Sequence, residues 1–249
     1  MTMRRIETYI LLACLFAAVS AITYLIHYFI FEDVHHIFIF MIGDLAFLPL
    51  EVFLVVIVIE RILTYREKQS IRQKMNMVVG AFFSEIGDQL LRGLLHCMRA
   101  NKEISQNLNV RPDWIRTDFR KAVNFARSLH YEPDCQELDL EALRALLLEK
   151  RPFLITLLEN PNILEHERFT DLLWATFHLT EELEARASLD ELPDSDIGHI
   201  SVDIERLFSL LIIEWVAYTE HLQSNYPFLF SLVTRIHPFQ ETPSAVVRI

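Results

Sequence analysis

Residues 8–31 read TYILLACLFAAVSAITYLIHYFIF, twenty-four positions without an Asp, Glu, Lys or Arg. A helix crosses the apolar core of a bilayer with about 20 such residues. The next apolar run, about 38–60, has only Asp44 and Glu51 inside it and ends at Glu60-Arg61. Val19-Ser20-Ala21 could pass for a signal cleavage site behind Arg4 and Arg5, but cutting there would leave ITYLIHYFIF as an exposed apolar end. Signal h-regions are also shorter than this stretch, so a retained span is expected. Arg4 and Arg5 precede the first run, while Arg61, Arg66, Lys68, Arg72 and Lys74 follow the second. Glu32 and Asp33 occupy the short connection, so the pattern predicts an inner-membrane hairpin with both termini cytoplasmic.

The rest of the chain is read outward from that hairpin. Of 249 residues, 52% are apolar and 23% charged, with a mean hydropathy of +0.24. Soluble chains run about 45–50% apolar. This composition excludes a disordered chain, a collagen-like repeat and a disulfide-stapled module. Five Gly and nine Pro argue against a turn-rich β architecture. The expected fold is all-α, with a two-helix transmembrane hairpin over 1–63 and a cytoplasmic helical domain over 64–249. The final stretch, 237–249, is expected to be an extended tail. The net charge of −11 is unevenly spread. Residues 64–127 carry twelve basic and six acidic groups, whereas 128–249 carry eight and twenty-two. A basic block after a span suits an anionic inner leaflet, and an acidic distal domain repels nucleic acid. Cys14, Cys97 and Cys135 form no CxxC pair, and a reducing compartment is expected for the bulk.

The hairpin has internal texture. Ala13, Ala17 and Ala21 recur every four residues, a small-residue stripe open to a second helix. Ser20, Thr23, Tyr24 and His27 share one face near the outer end, where Thr23 falls level with Asp44. Asp44 and Glu51 stand two turns apart around Pro49. An ionised group at such depth costs about 2.5–3.5 kcal/mol, so these acids call for a partner or a wet path. Two readings stay open: acids lining an ion path in an oligomer, or a protonated Glu51 on a carbonyl freed by Pro49 with Asp44 bonded to Thr23 or Tyr24. His27, Glu32, Asp33, His35 and His36 gather at the connection, as interfacial polar residues do.

Beyond the hairpin, 66–100 reads as one long helix with Ile71, Met75, Val78, Phe82, Ile86, Leu90, Leu94 and Met98 inward. Gly80, Ser84 and Gly87 fall on a common small face, a second candidate contact between protomers. Pro112 opens a helix to about His130, and Asp139 opens another, whose pattern resumes after Lys150-Arg151-Pro152 and halts at Asn160-Pro161. Helices are expected over 163–187, with Leu164, Leu172, Leu173, Phe177 and Leu183 inward, and over 199–223. An acidic linker, 188–197, separates them, and a short apolar piece, 228–236, follows Asn225-Tyr226-Pro227.

Catalytic signatures are absent: GxxxxGK[ST], GxGxxG, GxSxG and HExxH do not occur. Nor does the pair of Glu-x-x-His motifs that a di-metal helical bundle uses. No cofactor is expected. His178 with Glu182, and Glu214 with His221, are looser candidates for a metal site if their helices converge; surface hydrogen bonding is the competing account. Glu214 sits in an apolar run beside Trp215, a setting that raises a carboxyl pKa.

Leu45-Ala46-Phe47-Leu48-Pro49-Leu50, Asn76-Met77-Val78, Phe82-Phe83-Ser84-Glu85 and the terminal Asn225-Tyr226-Pro227-Phe228-Leu229-Phe230-Ser231-Leu232 resemble an uncharacterised family of prokaryotic two-span membrane proteins. The likeness covers most of the chain. It implies that hairpin and helical domain form one unit, and it carries no activity, cofactor or catalytic residue with it. Three function classes follow from the reading as a whole. The leading one is a membrane-anchored interaction or sensory module that self-associates and meets a cytoplasmic protein partner. The others are an oligomeric channel or transporter component lined by Glu51 and Asp44, and a membrane-bound metalloenzyme.

Overall fold

The computed structural model describes residues 2–134, 138–161 and 163–247. Cys135 lies outside them, as do the side chains of Arg4, Arg5, Lys68, Ile71, Arg72 and Lys74. The described chain is helical, with no strand beyond one isolated bridge between Met98 and Pro133. It divides into an N-terminal unit, Met1–Glu67, and a C-terminal unit, Lys68–Ile249.

In the N-terminal unit α1 (Thr2–Phe31) is joined to α2 (Val34–Phe82) by Glu32 and Asp33 alone. The link is tight because Glu32 takes a left-handed φ of 48° while its N–H still bonds Tyr28 O at 2.8 Å. Asp33 Oδ1 then accepts the His35 N–H at 2.8 Å, capping α2. Ile10–Phe31 and Val34–Glu67 are both long and apolar enough to cross a membrane, with mean hydropathies of 2.2 and 2.4. From Ile10 to Glu67 every side chain is exposed except the half-buried His27, His36 and Ile37. α2 passes through Pro49 without ending.

In the C-terminal unit the rest of α2 gives way to a π-turn, Phe83–Gly87, and then to α3 (Asp88–His96). The predicted single helix over 66–100 is therefore interrupted. Asp88 N–H reaches back five residues to Phe83 O, which inserts one residue into the turn. Phe82 and Phe83 consequently both face inward, edge-on to each other at 5.4 Å, with Phe83 stacked on Tyr218 at 5.5 Å. The same step breaks up the expected small face: Gly87 is buried, Ser84 is exposed, and Gly80 lies against Tyr218.

α4 (Asn101–Leu108), α5 (Arg116–Ser128), α6 (Leu140–Leu158), α7 (Glu167–Glu184), α8 (Asp194–Asn225) and α9 (Pro227–Ile236) complete the unit. α8 is its axis and packs on α3, α5, α7 and α9. Ile200, Ile204, Leu207, Phe208, Leu211, Ile212 and Trp215 along it are all buried. Such a wide apolar circumference is what a central helix needs.

Several boundaries differ from the sequence reading for physical reasons. Pro112 and Asp113 form a turn, and α5 opens only at Arg116, where Asp118 Oδ2 accepts the Ile115 N–H at 3.1 Å. α6 starts where expected, with Asp139 capping Ala142 N–H at 2.8 Å, but it runs through Pro152. α7 begins after a 3₁₀ turn over Ile163–Glu165, which leaves Leu164 78% exposed rather than inward. α8 starts inside the expected linker: Pro193 precedes it and Asp194 and Asp196 occupy its first turn, where the helix dipole favours acids. The tail does not simply trail away. His237 and Phe239 are buried, with Phe239 edge-on to Trp215 at 4.9 Å.

The glycines divide by the space around them. A Cβ at Gly87 would meet Phe83 Cδ1 at 2.5 Å and Phe82 at 2.9 Å, whereas at Gly93 nothing lies within 4 Å. Gly87→Ala should therefore destabilise the unit by about 1–3 kcal/mol through overpacking. Gly93→Ala should stabilise it by about 0.5–1 kcal/mol by restricting the unfolded chain. The three tryptophans, 114, 174 and 215, all lie in this unit, so fluorescence-monitored melting reports it selectively. Equal effects of the two substitutions would contradict the packing described.

Candidate functional site: an imidazole–carboxylate seam

α7 and α8 meet across two i,i+4 pairs, His178/Glu182 on one helix and His199/Asp203 on the other. His178 Nε2 lies 3.4 Å from Asp203 Oδ2 and 3.9 Å from Glu182 Oε1. His199 Nε2 lies 3.6 Å from Asp203 Oδ2 and 3.5 Å from Glu182 Oε2. Each imidazole thus faces both carboxylates. The Asp203 side chain is only 4% exposed; its Oδ1 accepts from Arg206 Nη1 at 3.0 Å. Among the described residues its Oδ2 receives no hydrogen bond and has only the two imidazole edges close by.

Arginine fixes the frame around the seam. Arg186 grips Asp196 through both carboxylate oxygens, at 2.8 and 2.6 Å, and reaches Glu182 Oε2 at 2.9 Å. This fork ties the end of α7 to the first turn of α8. Hydrogen bonding to Arg186 holds both Glu182 and Asp196 below the usual carboxylate range. A depression of about 410 Å³ opens beside His178 and Arg206, lined also by Asp171, Trp174, Ala175 and Leu210. The seam brings two imidazoles together with two carboxylates that arginines anchor.

The four sequence candidates for a metal do not converge. His178 and Glu182 belong to the seam. Glu214 stands eleven residues beyond Asp203 on α8, about 16 Å along the axis. There it lies 3.5 Å from His166 Nε2 and 3.7 Å from Arg168 Nε. Burial pushes the Glu214 carboxyl up, opposed by His166 and Arg168. His221 is a further two turns along and meets Asn76 at 3.0 Å and Asn225 at 3.1 Å. No group of three or more His, Cys, Asp or Glu suited to a metal ion occurs among the described residues. The i,i+4 spacing that marks His178 and Glu182 also marks His199 and Asp203 inside the helix expected over 199–223, and that shared spacing is the signal by which the second pair is found.

In the N-terminal unit Asp44 and Glu51 are exposed on α2. Thr23 Oγ1 bonds Val19 O of its own helix at 2.9 Å, so it does not serve Asp44. His27 stacks on His36 at 5.6 Å beside Phe31. Ala13, Ala17 and Ala21 remain exposed on α1.

Two further polar groups, missed in the sequence, lie near Arg92: the half-buried Asp88 and the buried His237. Asp88 at the start of α3 is raised to about 6 by burial, against the pull of Arg92 and a hydrogen bond from Trp215. His237 is lowered to about 4, chiefly by burial. Asp88 holds its proton to higher pH when folded, so its contribution to stability is full in acid and fades as pH rises from 3.8 to about 6. His237 is neutral when folded, so its contribution is full above 6.5 and is lost as pH falls to about 4. The two slopes oppose each other between pH 4 and 6. Asp88→Asn should expose the rising slope of His237, and His237→Gln the falling slope of Asp88, each at most about 1.4 kcal/mol per pH unit. Tryptophan-monitored melts across that range test this; parallel curves for the two variants would refute the assignment.

Residues 71–235 match the family described as uncharacterized protein MJ1433, C-terminal helical domain, and residues 4–63 match its N-terminal helical domain. The uncharacterized protein MJ1433 of Methanocaldococcus jannaschii is 43% identical over 220 residues, covering 88% of each chain. No solved structure matches. With both domain signatures present in order along the chain, the protein belongs to the MJ1433 family of helical proteins.

Proposed function

We propose that this protein is a membrane-anchored helical module, with its hairpin in the cell membrane and both termini cytoplasmic. The observation that carries this reading is the bareness of the N-terminal unit. Its two apolar helices have none of their strongest apolar windows buried. Soluble monomers rarely expose apolar patches beyond about 300–600 Å², so these helices need lipid around them. The basic residues before residue 6 and from Arg61 onward, against Glu32 and Asp33 between the helices, support the orientation. The C-terminal unit has a closed core and carries the α7–α8 seam on its surface, an arrangement suited to sensing or binding. The stripe Ala13/Ala17/Ala21 supports self-association through α1. Fusion reporters after residues 3, 34 and 249 test the anchor: the first and last should report cytoplasm and the middle one the outside. An external signal from residue 249 would overturn the reading.

A second reading, conduction through an oligomer, draws on Asp44 and Glu51 standing exposed on one side of α2. A carboxylate surrounded by lipid is costly, and facing acids of other copies across water relieves that cost. Glu51→Gln would then lower cation flux in liposomes or abolish its pH dependence while expression stays normal. Absence of flux in the unsubstituted protein, across several cations and pH values, would dismiss conduction and leave the anchored module.

A further inference from the structure

We infer that one end of the C-terminal unit is itself a lipid-docking surface, in which α9 lies on an anionic membrane with Phe228, Leu229 and Leu232 inserted. This rests on the membrane-anchored reading above. α9 turns Phe230 and Thr234 into the core, yet leaves Phe228 72% exposed, with Leu229 and Leu232 also open on the same helical side. α9 is therefore apolar on both sides: Phe230 and the half-buried Val233 and Ile236 face the protein while Phe228, Leu229 and Leu232 point away from it, where an ordinary surface helix would carry polar residues.

Contacts place other exposed apolar residues around it. Tyr226 packs on Phe228 at 6.3 Å and on His221 at 5.7 Å. His221 in turn bonds Asn76, whose neighbour Met77 is exposed. Gln223 donates to Trp114 O at 2.6 Å, which fixes the exposed Ile115 beside the end of α8. Phe119 on α5 meets Phe230 at 6.5 Å. Met77, Ile115 and the α9 face thus belong to a single end of the unit.

Charge chooses lipid over a second protein. Arg111, Arg116, Arg120 and Lys121 are exposed on the α5 side of this end, where they outnumber the carboxylates beside them, Asp113, Glu220 and Asp118, in a chain whose residues 128–249 are strongly acidic. Inserted aromatic and aliphatic side chains rimmed by Arg and Lys are how interfacial helices hold anionic leaflets.

The test uses the full chain in nanodiscs, with Cys14, Cys97 and Cys135 replaced and one nitroxide label introduced by Phe228→Cys, Leu232→Cys, Leu164→Cys or Ile22→Cys. Power saturation with oxygen and a water-soluble nickel chelate reads lipid against water. In anionic nanodiscs, positions 228 and 232 should favour oxygen, and the exposed control at 164 should favour the chelate. Arg116→Glu with Lys121→Glu, or zwitterionic lipid, should shift 228 toward water with no change in tryptophan-monitored melting. A lipid-embedded label at 22 with an aqueous label at 228 would overturn the inference and leave the anchor intact. Protection of 228 from both reagents would mean that protein covers it, and would also overturn it. An aqueous label at 22 would sink the anchor itself and the docking with it.

Discussion

The C-terminal unit depends on how closely α2 approaches α8. Tyr218 of α8 occupies the space a side chain at Gly80 would need, with its Oη 2.9 Å from where a Cβ would sit. Three residues on, the π-turn begins and turns Phe82 and Phe83 inward together, and Gly87 lets their rings fold back over the helix. Phe82 then reaches Phe169 of α7 at 5.5 Å, so α2, α7 and α8 lock through aromatic edges. Glycine inside a helix costs about 1 kcal/mol of propensity. That cost is offset by large rings buried where a β-carbon would have held them apart.

Periodicity made the helical class and the two apolar runs legible, because both are statements about where apolar side chains recur. The π-turn was illegible for the same reason: one inserted residue shifts the phase by about 100° without changing composition. Gly80, Ser84 and Gly87 look like one face only if the helix stays regular. Pro112 was misplaced because a proline suits a turn as well as a first helical turn, and the choice fell to Asp118 capping Ile115. Leu164 looked inward on a helical count that the 3₁₀ turn voids. Half of the seam was visible as His178 and Glu182; His199 and Asp203 carry the same spacing, but their meeting with the first pair depends on how α7 packs on α8, where Arg186 grips Asp196.

Polar groups in the core show a second kind of constraint. Asp88, Glu214 and His237 all sit where burial disfavours charge, and each has a polar neighbour that softens the penalty. Arg92 donates to Ile236 O, which holds the start of the tail down while standing near both Asp88 and His237. His237 and Phe239 are therefore part of the core, and the last turn of α9 is positioned by α3. That matters for α9, since a helix whose exposed face is apolar needs its other face firmly seated.

The seam differs in kind from these buried groups. Glu182 and Asp203 each already have an arginine, Arg186 and Arg206, so their charges are compensated without the histidines. The imidazoles are surplus to that balance. Were the cluster purely structural, one cation per carboxylate would suffice, and Asp203 Oδ2 would not be left facing two ring nitrogens with no hydrogen bond. The imidazoles add contacts across the α7–α8 seam that Arg206 does not make: His178 reaches Asp203 from α7, and His199 reaches Glu182 from α8. The two carboxylates are therefore not equivalent: Arg206 holds the Asp203 oxygen that the imidazoles leave, whereas Arg186 and His199 share Oε2 of Glu182.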